Sequence, residues 1–261
     1  MGDKWKKAPV FYTVAQLKFN KIALMEKFVP EIQERFRVLN FPDFQRETTI
    51  QVAVNDDEKE LQTNQALRWS FSNGARTEGY IVLPDAVAYH ATSYETFADF
   101  SQRVLQGLQV VHQVVKLAYL QRIGLRFLDA IAPTEGHSVE NYLTPGLLGN
   151  SASLRGKFKH SFAETQVESE SGCLISKVLI VEGGLPIPQE LHPLQLELPS
   201  RFRGLQGRTA TLDNDCFSTE RMALGPDFDE QKILGKLRDL KVGVNQAFQA
   251  SITEFALKEW R

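Results

Sequence analysis

Two carboxylates stand two residues apart, Asp213 and Asp215, in a run (208–218) that alternates like a strand. Side chains at that spacing share one face of a sheet, so the pair could hold Mg²⁺ or do acid–base work. Asp129, with Glu168 or Glu170, could add a further acid and complete a metal-dependent nuclease site. Arg122 and Arg126 lie four apart in another strand-like run, hence on one face, with Gly124 between them. They could form an anion platform for phosphate or carboxylate. They could equally pair with Asp213 or Asp215 in an Arg–carboxylate ladder, the plainer alternative. A third group, Arg201, Arg203 and Arg208 around Phe202, sets cations beside a stacking surface and is the best nucleic-acid candidate, followed by Lys4, Trp5, Lys6 and Lys7. The simpler account of each is a solvated loop.

Other chemistry is poorly provided for. The five histidines (His90, His112, His137, His160 and His192) have no tight metal-ligand spacing, and Cys173 and Cys216 are far apart, so no metal site is expected. The stretch 201–208 lacks the Lys-Ser/Thr of a phosphate-binding loop and the third glycine of a dinucleotide loop, and no Gly-x-Ser-x-Gly elbow occurs. No cofactor is therefore expected. Net charge is −2, which gives no global attraction to nucleic acid or to an anionic membrane. No apolar run approaches ~18 residues, so no membrane span is expected. Two cysteines and no secretory pattern point to a reducing, cytoplasmic compartment.

Periodicity predicts the elements that must position these residues. A strand over 10–19 follows Pro9. A helix capped by Asn20 carries Leu24, Phe28, Ile32 and Phe36 on one side, with a kink or break at Pro30. Strands follow at 48–54, 66–72 and 79–91, with Asn73-Gly74 as a turn and Pro84 marking an edge or bulge. Ser93 caps a second helix, and a strand over 119–131 closes this half. The order βαβββαβ predicts a ferredoxin-like sheet for residues 1–132. Glycine, proline and serine punctuate 133–156, which reads as a linker. Residues 157–261 supply strands at 157–169, 173–182, 194–198 and 208–218, then one long helix over 229–259. Its apolar stripe is Ile233, Leu237, Leu240, Val244, Phe248, Ile252 and Phe255. Unbroken, it would be roughly 45 Å long, which predicts that it spans both halves, kinks near Gly243 or joins a second copy. The fold class expected is α+β, with two sheet-containing halves and a long C-terminal helix.

Four ordered segments carry a resemblance: Ala8-Pro9-Val10 with Gln16-Leu17-Lys18-Phe19; residues 92–100; Arg122-Ile123-Gly124-Leu125-Arg126-Phe127-Leu128-Asp129; and Leu212-Asp213-Asn214-Asp215 with Val244-Asn245-Gln246-Ala247-Phe248. Together they resemble a sporadically distributed bacterial and archaeal family of about this size whose function is uncharacterised. Three positions depart from its pattern: Asp129 replaces a frequent Asn, Lys241 a frequent His, and Asn214 an apolar residue. The patchy distribution implies a setting in prokaryotic defence, CRISPR-associated or toxin–antitoxin-like. The expected function is then a non-enzymatic intracellular interaction or regulatory protein. It would bind another protein, or itself, through its helical or aromatic surface. The alternative is a nucleic-acid binder or metal-dependent nuclease using Asp213, Asp215 and the arginine-rich face.

Overall fold

Alternate apolar residues, Ala15, Leu17 and Phe19 in one run and Ile123, Leu125 and Phe127 in another, build the centre of the molecule, where two strands lie side by side. The computed structural model describes residues 5, 7–54, 61–150, 153–192, 194–225 and 228–261, with side chains at 49–54 and 61–66 excepted. Among the described residues ten strands form: β1 (Val10–Phe19), β2 (Asp43–Val54), β3 (Leu61–Ser72), β4 (Glu78–Leu83), β5 (Ala86–Ala91), β6 (Tyr119–Ile131), β7 (His160–Ser169), β8 (Gly172–Glu182), β9 (Arg208–Ser218) and β10 (Met222–Ala223). The helices are α1 (Met25–Val38), α2 (Phe97–Val115), α3 (Val139–Tyr142), α4 (Glu230–Ser251) and α5 (Glu254–Trp260).

The fold is α+β, and its strands form one antiparallel sheet in the order β2-β3-β4-β5-β1-β6-β9-β8-β7, with β10 attached to β6. The two sheet-containing halves expected from the sequence are thus joined into one layer. The junction is β6, which pairs with β1 on one side and with β9, from Ile123↔Ser218 to Ile131↔Ala210, on the other. The predicted strand over 79–91 is a hairpin, β4–β5. Pro84 and Asp85 form its turn, where their carbonyls accept from the backbone N–H groups of Ile22 and Phe19. Pro cannot donate to a ladder and its fixed φ suits a turn, so it folds the run back instead of thinning an edge. Residues 194–198 are not a strand. They belong to a long connection (183–207) laid across one sheet face, where Leu196 and Phe202 are buried against Phe11, Tyr12, Leu128 and Ala130.

The other face carries α1, α2 and α4. Helix α1 continues through Pro30, which occupies its exposed side, and α2 begins at Thr96, whose hydroxyl accepts from the Asp99 N–H, rather than at Ser93. Helix α4 presses Ile233, Leu237, Leu240 and Val244 onto β6, β8 and β9, all of them buried. The terminal helix is broken at Ile252–Thr253, not at Gly243. Ile252 is extended and bridges Leu143, while Thr253 accepts from the Ala256 N–H to start α5. Gly243 serves close packing instead: a Cβ there would lie 2.9 Å from the Cys216 Sγ. Segment 133–156 contributes Val139, Tyr142 and Leu143 to a second apolar cluster with Ile252, Ala256 and Trp260. No helix among the described residues is long and apolar enough to cross a membrane.

Candidate functional site

The alternation of β6 and β9 puts Arg122, Gly124 and Arg126 on the same face as Asp213 and Asp215, under the 183–207 connection. Arg126 stands opposite Asp215 but reaches one rung further, to Asp213. Its Nε donates to Oδ1 at 2.7 Å and its Nη2 to Oδ2 at 2.6 Å. This fork-to-carboxylate geometry is the strongest form an ion pair takes. Glu190, from the overlying connection, accepts from the same Nη2 at 2.6 Å. Burial works against the Arg126 charge, but the hydrogen bonds and charges of Asp213 and Glu190 outweigh it and hold the guanidinium above its ordinary pKa. Arg122 folds over Gly124 and stacks 4.3 Å from the centre of the Phe217 ring. Its Nη2 lies 3.5 Å from Asp215 Oδ2, and its Nη1 donates to Gln16 at 3.3 Å. A Cβ at Gly124 would stand 2.6 Å from Arg122 Nη1, so the missing side chain is what lets the guanidinium lie down. Burial raises the Asp215 carboxyl above its ordinary pKa, opposed by Arg122 and Arg126. The acids and arginines therefore meet as a staggered ladder in which the Asp213 carboxylate is occupied on both oxygens.

Asp129 is not in this ladder. It is buried on the opposite, helix-bearing face, where burial pushes its carboxyl well above the usual carboxylate range against the pull of Lys241. Lys241, on α4, places its ammonium 3.9 Å from the centre of the Phe127 ring, and burial lowers it below the ordinary lysine range despite Asp129. Tyr94 meets the same ring edge-on at 5.1 Å. Across the strand from Phe127, fully buried Asn214 accepts from the Ser176 hydroxyl at 2.7 Å, and its amide nitrogen has no hydrogen-bond partner among the described residues. The sequence held a sign of this grouping. Lys241 follows Leu237 by four positions and precedes Val244 by three, so it falls on the buried stripe.

The arginine-rich turn does not converge with the ladder cations. Arg201 donates to the Ala8 carbonyl and stacks on Phe202, Arg203 pairs with Glu197, and Arg208 pairs with Glu140 and stacks on Phe158. Lys4 and Lys6 lie outside the described residues. Glu168, next to last in β7, lies two strands from Asp213 and does not join the acidic pair. One polar contact had no sequence signal at all: buried His90 bonds the Tyr12 hydroxyl through Nδ1 at 3.0 Å. Burial, then the charge of Arg68, lowers that histidine to about 3, so it is neutral in the fold. Among the described residues no group of three or more His, Cys, Asp or Glu is arranged to hold a metal ion. No protein-family model matches the chain, and neither curated proteins nor solved structures give a match.

Proposed function

We propose that this chain is a non-enzymatic interaction protein that works by presenting the β7 end of its sheet to a partner. The observation that carries the reading is β7 itself. Its ten residues are almost wholly exposed, including Phe162 at 57% and Val167 at 43%. The ladder supports it from the other side. Asp213, the residue best placed for metal or acid–base chemistry, is neutralised by Arg126, and a guanidinium that fills both carboxylate oxygens competes directly with a cation. The arginines of 201–208 are likewise engaged within the chain. In this reading β4-β5-β1-β6 with α1 and α2 is a ferredoxin-like module into which the β2–β3 hairpin is inserted. The place of action is the cytoplasm, in keeping with two free buried thiols. The resemblance in the four sequence segments suggests a regulatory role in prokaryotic defence.

Incubation with labelled RNA and DNA and with Mg²⁺ or Mn²⁺ tests the non-enzymatic half; no cleavage is expected. Cleavage that disappears in the double variant Asp213→Ala, Asp215→Ala overturns it. For the interaction half, the tagged chain is recovered from its native cells and its complexes weighed. A defined stoichiometric complex is expected that Phe162→Glu dissolves, and a complex indifferent to that change places the binding surface elsewhere.

A further inference from the structure

We infer that β7 pairs antiparallel with β7 of a second copy of this chain, joining the two sheets across a two-fold axis at Thr165. This deepens the interaction reading by naming the partner. Strand β7 ends the sheet, and its pairing with β8 runs in unbroken register from His160↔Val181 to Ser169↔Gly172. It has no proline and no bulge, the usual devices that spoil an edge for strand addition. Its charges are polarised along its length. Lys157, Lys159 and His160 stand at its leading end, and Glu168 and Glu170 at its trailing end, all exposed. An antiparallel neighbour with the same sequence sets each basic end beside an acidic one, whereas a parallel neighbour sets like beside like.

Symmetry then fixes the register. A two-fold axis normal to the sheet keeps each face on its own side, so only residues of equal parity oppose one another. Of the two such registers nearest the middle of β7, one centres on Glu164 and puts that carboxylate against its own copy. The other centres on Thr165 and opposes no like charges. It sets His160 against Glu170, Ala163 against Val167, and Thr165 against itself, the last a favoured cross-strand pair. Phe162 lies beside the aliphatic stem of Glu168 in this arrangement.

The full chain is sedimented at about 100 µM, well above the micromolar dissociation constant that a small edge interface sustains. A dimer is expected. Thr165→Cys places two thiols across the axis and is expected to cross-link on mild oxidation. Glu170→Lys is expected to weaken association at least tenfold, and His160→Glu in the same chain to restore it. Gln166→Pro, at a position whose backbone N–H points away from β8, is expected to give a monomer with an unchanged circular dichroism spectrum. A wild-type monomer at that concentration overturns the inference. So does a dimer that survives Gln166→Pro and does not cross-link as the Thr165→Cys variant. A monomer that nevertheless captures another protein through Phe162 overturns only the self-pairing, and leaves the interaction function standing.

Discussion

Arg126 shows at the level of single residues what an ion pair contributes once it is buried. Its side chain is 16% exposed and that of Asp213 6%. Removing one member leaves the other charged and dry, so Arg126→Ala is expected to cost roughly 3 kcal/mol or more. Arg203, more than half exposed beside Glu197, should change stability by no more than about 0.5 kcal/mol when replaced by Ala. Urea unfolding of the two variants makes the comparison. The buried titrating groups set opposed pH slopes. Burial raises Asp129 above its ordinary 3.8 despite Lys241, so the folded chain holds a proton there more tightly than the unfolded chain does, and its contribution falls as pH rises above about 4. His90 is lowered from 6.5 to about 3, so the unfolded chain is the one that holds the extra proton, and its contribution is lost as pH falls below 6.5. Asp129→Asn should therefore make the slope of stability against pH above about 4 more positive, and His90→Gln should make it less positive. Denaturant midpoints along a pH series measure both slopes. These two residues differ in legibility. Asp129 was singled out in the sequence as a further acid, although its strand parity turns it to the face opposite Asp213, whereas His90 sat in an ordinary run and depends on a contact 78 positions away.

Among the elements, α2 and α4 are held by glycines at points of close approach. A Cβ at Gly107 would meet the ring of Tyr80 at 2.5 Å, and that ring is fully buried and stacked on Phe36. Gly107→Ala gains helix propensity worth about 1 kcal/mol, yet overpacking should prevail and leave a net loss of about 1–2 kcal/mol in thermal or urea melts. Along the terminal stripe the expected losses are graded. Leu237→Ala removes a fully buried side chain and should cost about 2–5 kcal/mol, whereas Phe248, partly buried between Trp5 and Trp260, should cost less than a core phenylalanine's ~3 kcal/mol. The stripe was readable because period-3.6 burial leaves its mark in sequence. The break at Ile252–Thr253 was not, because it depends on Leu143, which docks on Ile252 from a segment more than a hundred residues away. Ahead of the break, Ile233, Leu237, Leu240 and Val244 are buried against the sheet.

For the molecule as a whole, the decisive contact is β6 with β9. Strand positions 10–19, 173–182 and 208–218 were legible from alternation to within a residue of their ends. Their joining into one sheet was not, since alternation says which face a residue takes and nothing about which neighbour it acquires. One continuous sheet predicts one cooperative transition, with the far-ultraviolet signal and tryptophan fluorescence coinciding in a denaturant titration. Two separated transitions would mean that the halves unfold independently.

Gly243 makes the thiol of Cys216 a reporter. The sulphur has no exposed surface, and the helix backbone passes so near that not even a methyl group fits between them. An alkylating reagent can reach it only while α4 is lifted from the sheet. The rate at which Cys216 is labelled, read against global unfolding under the same conditions, therefore counts the excursions of that one helix in the untouched natural chain.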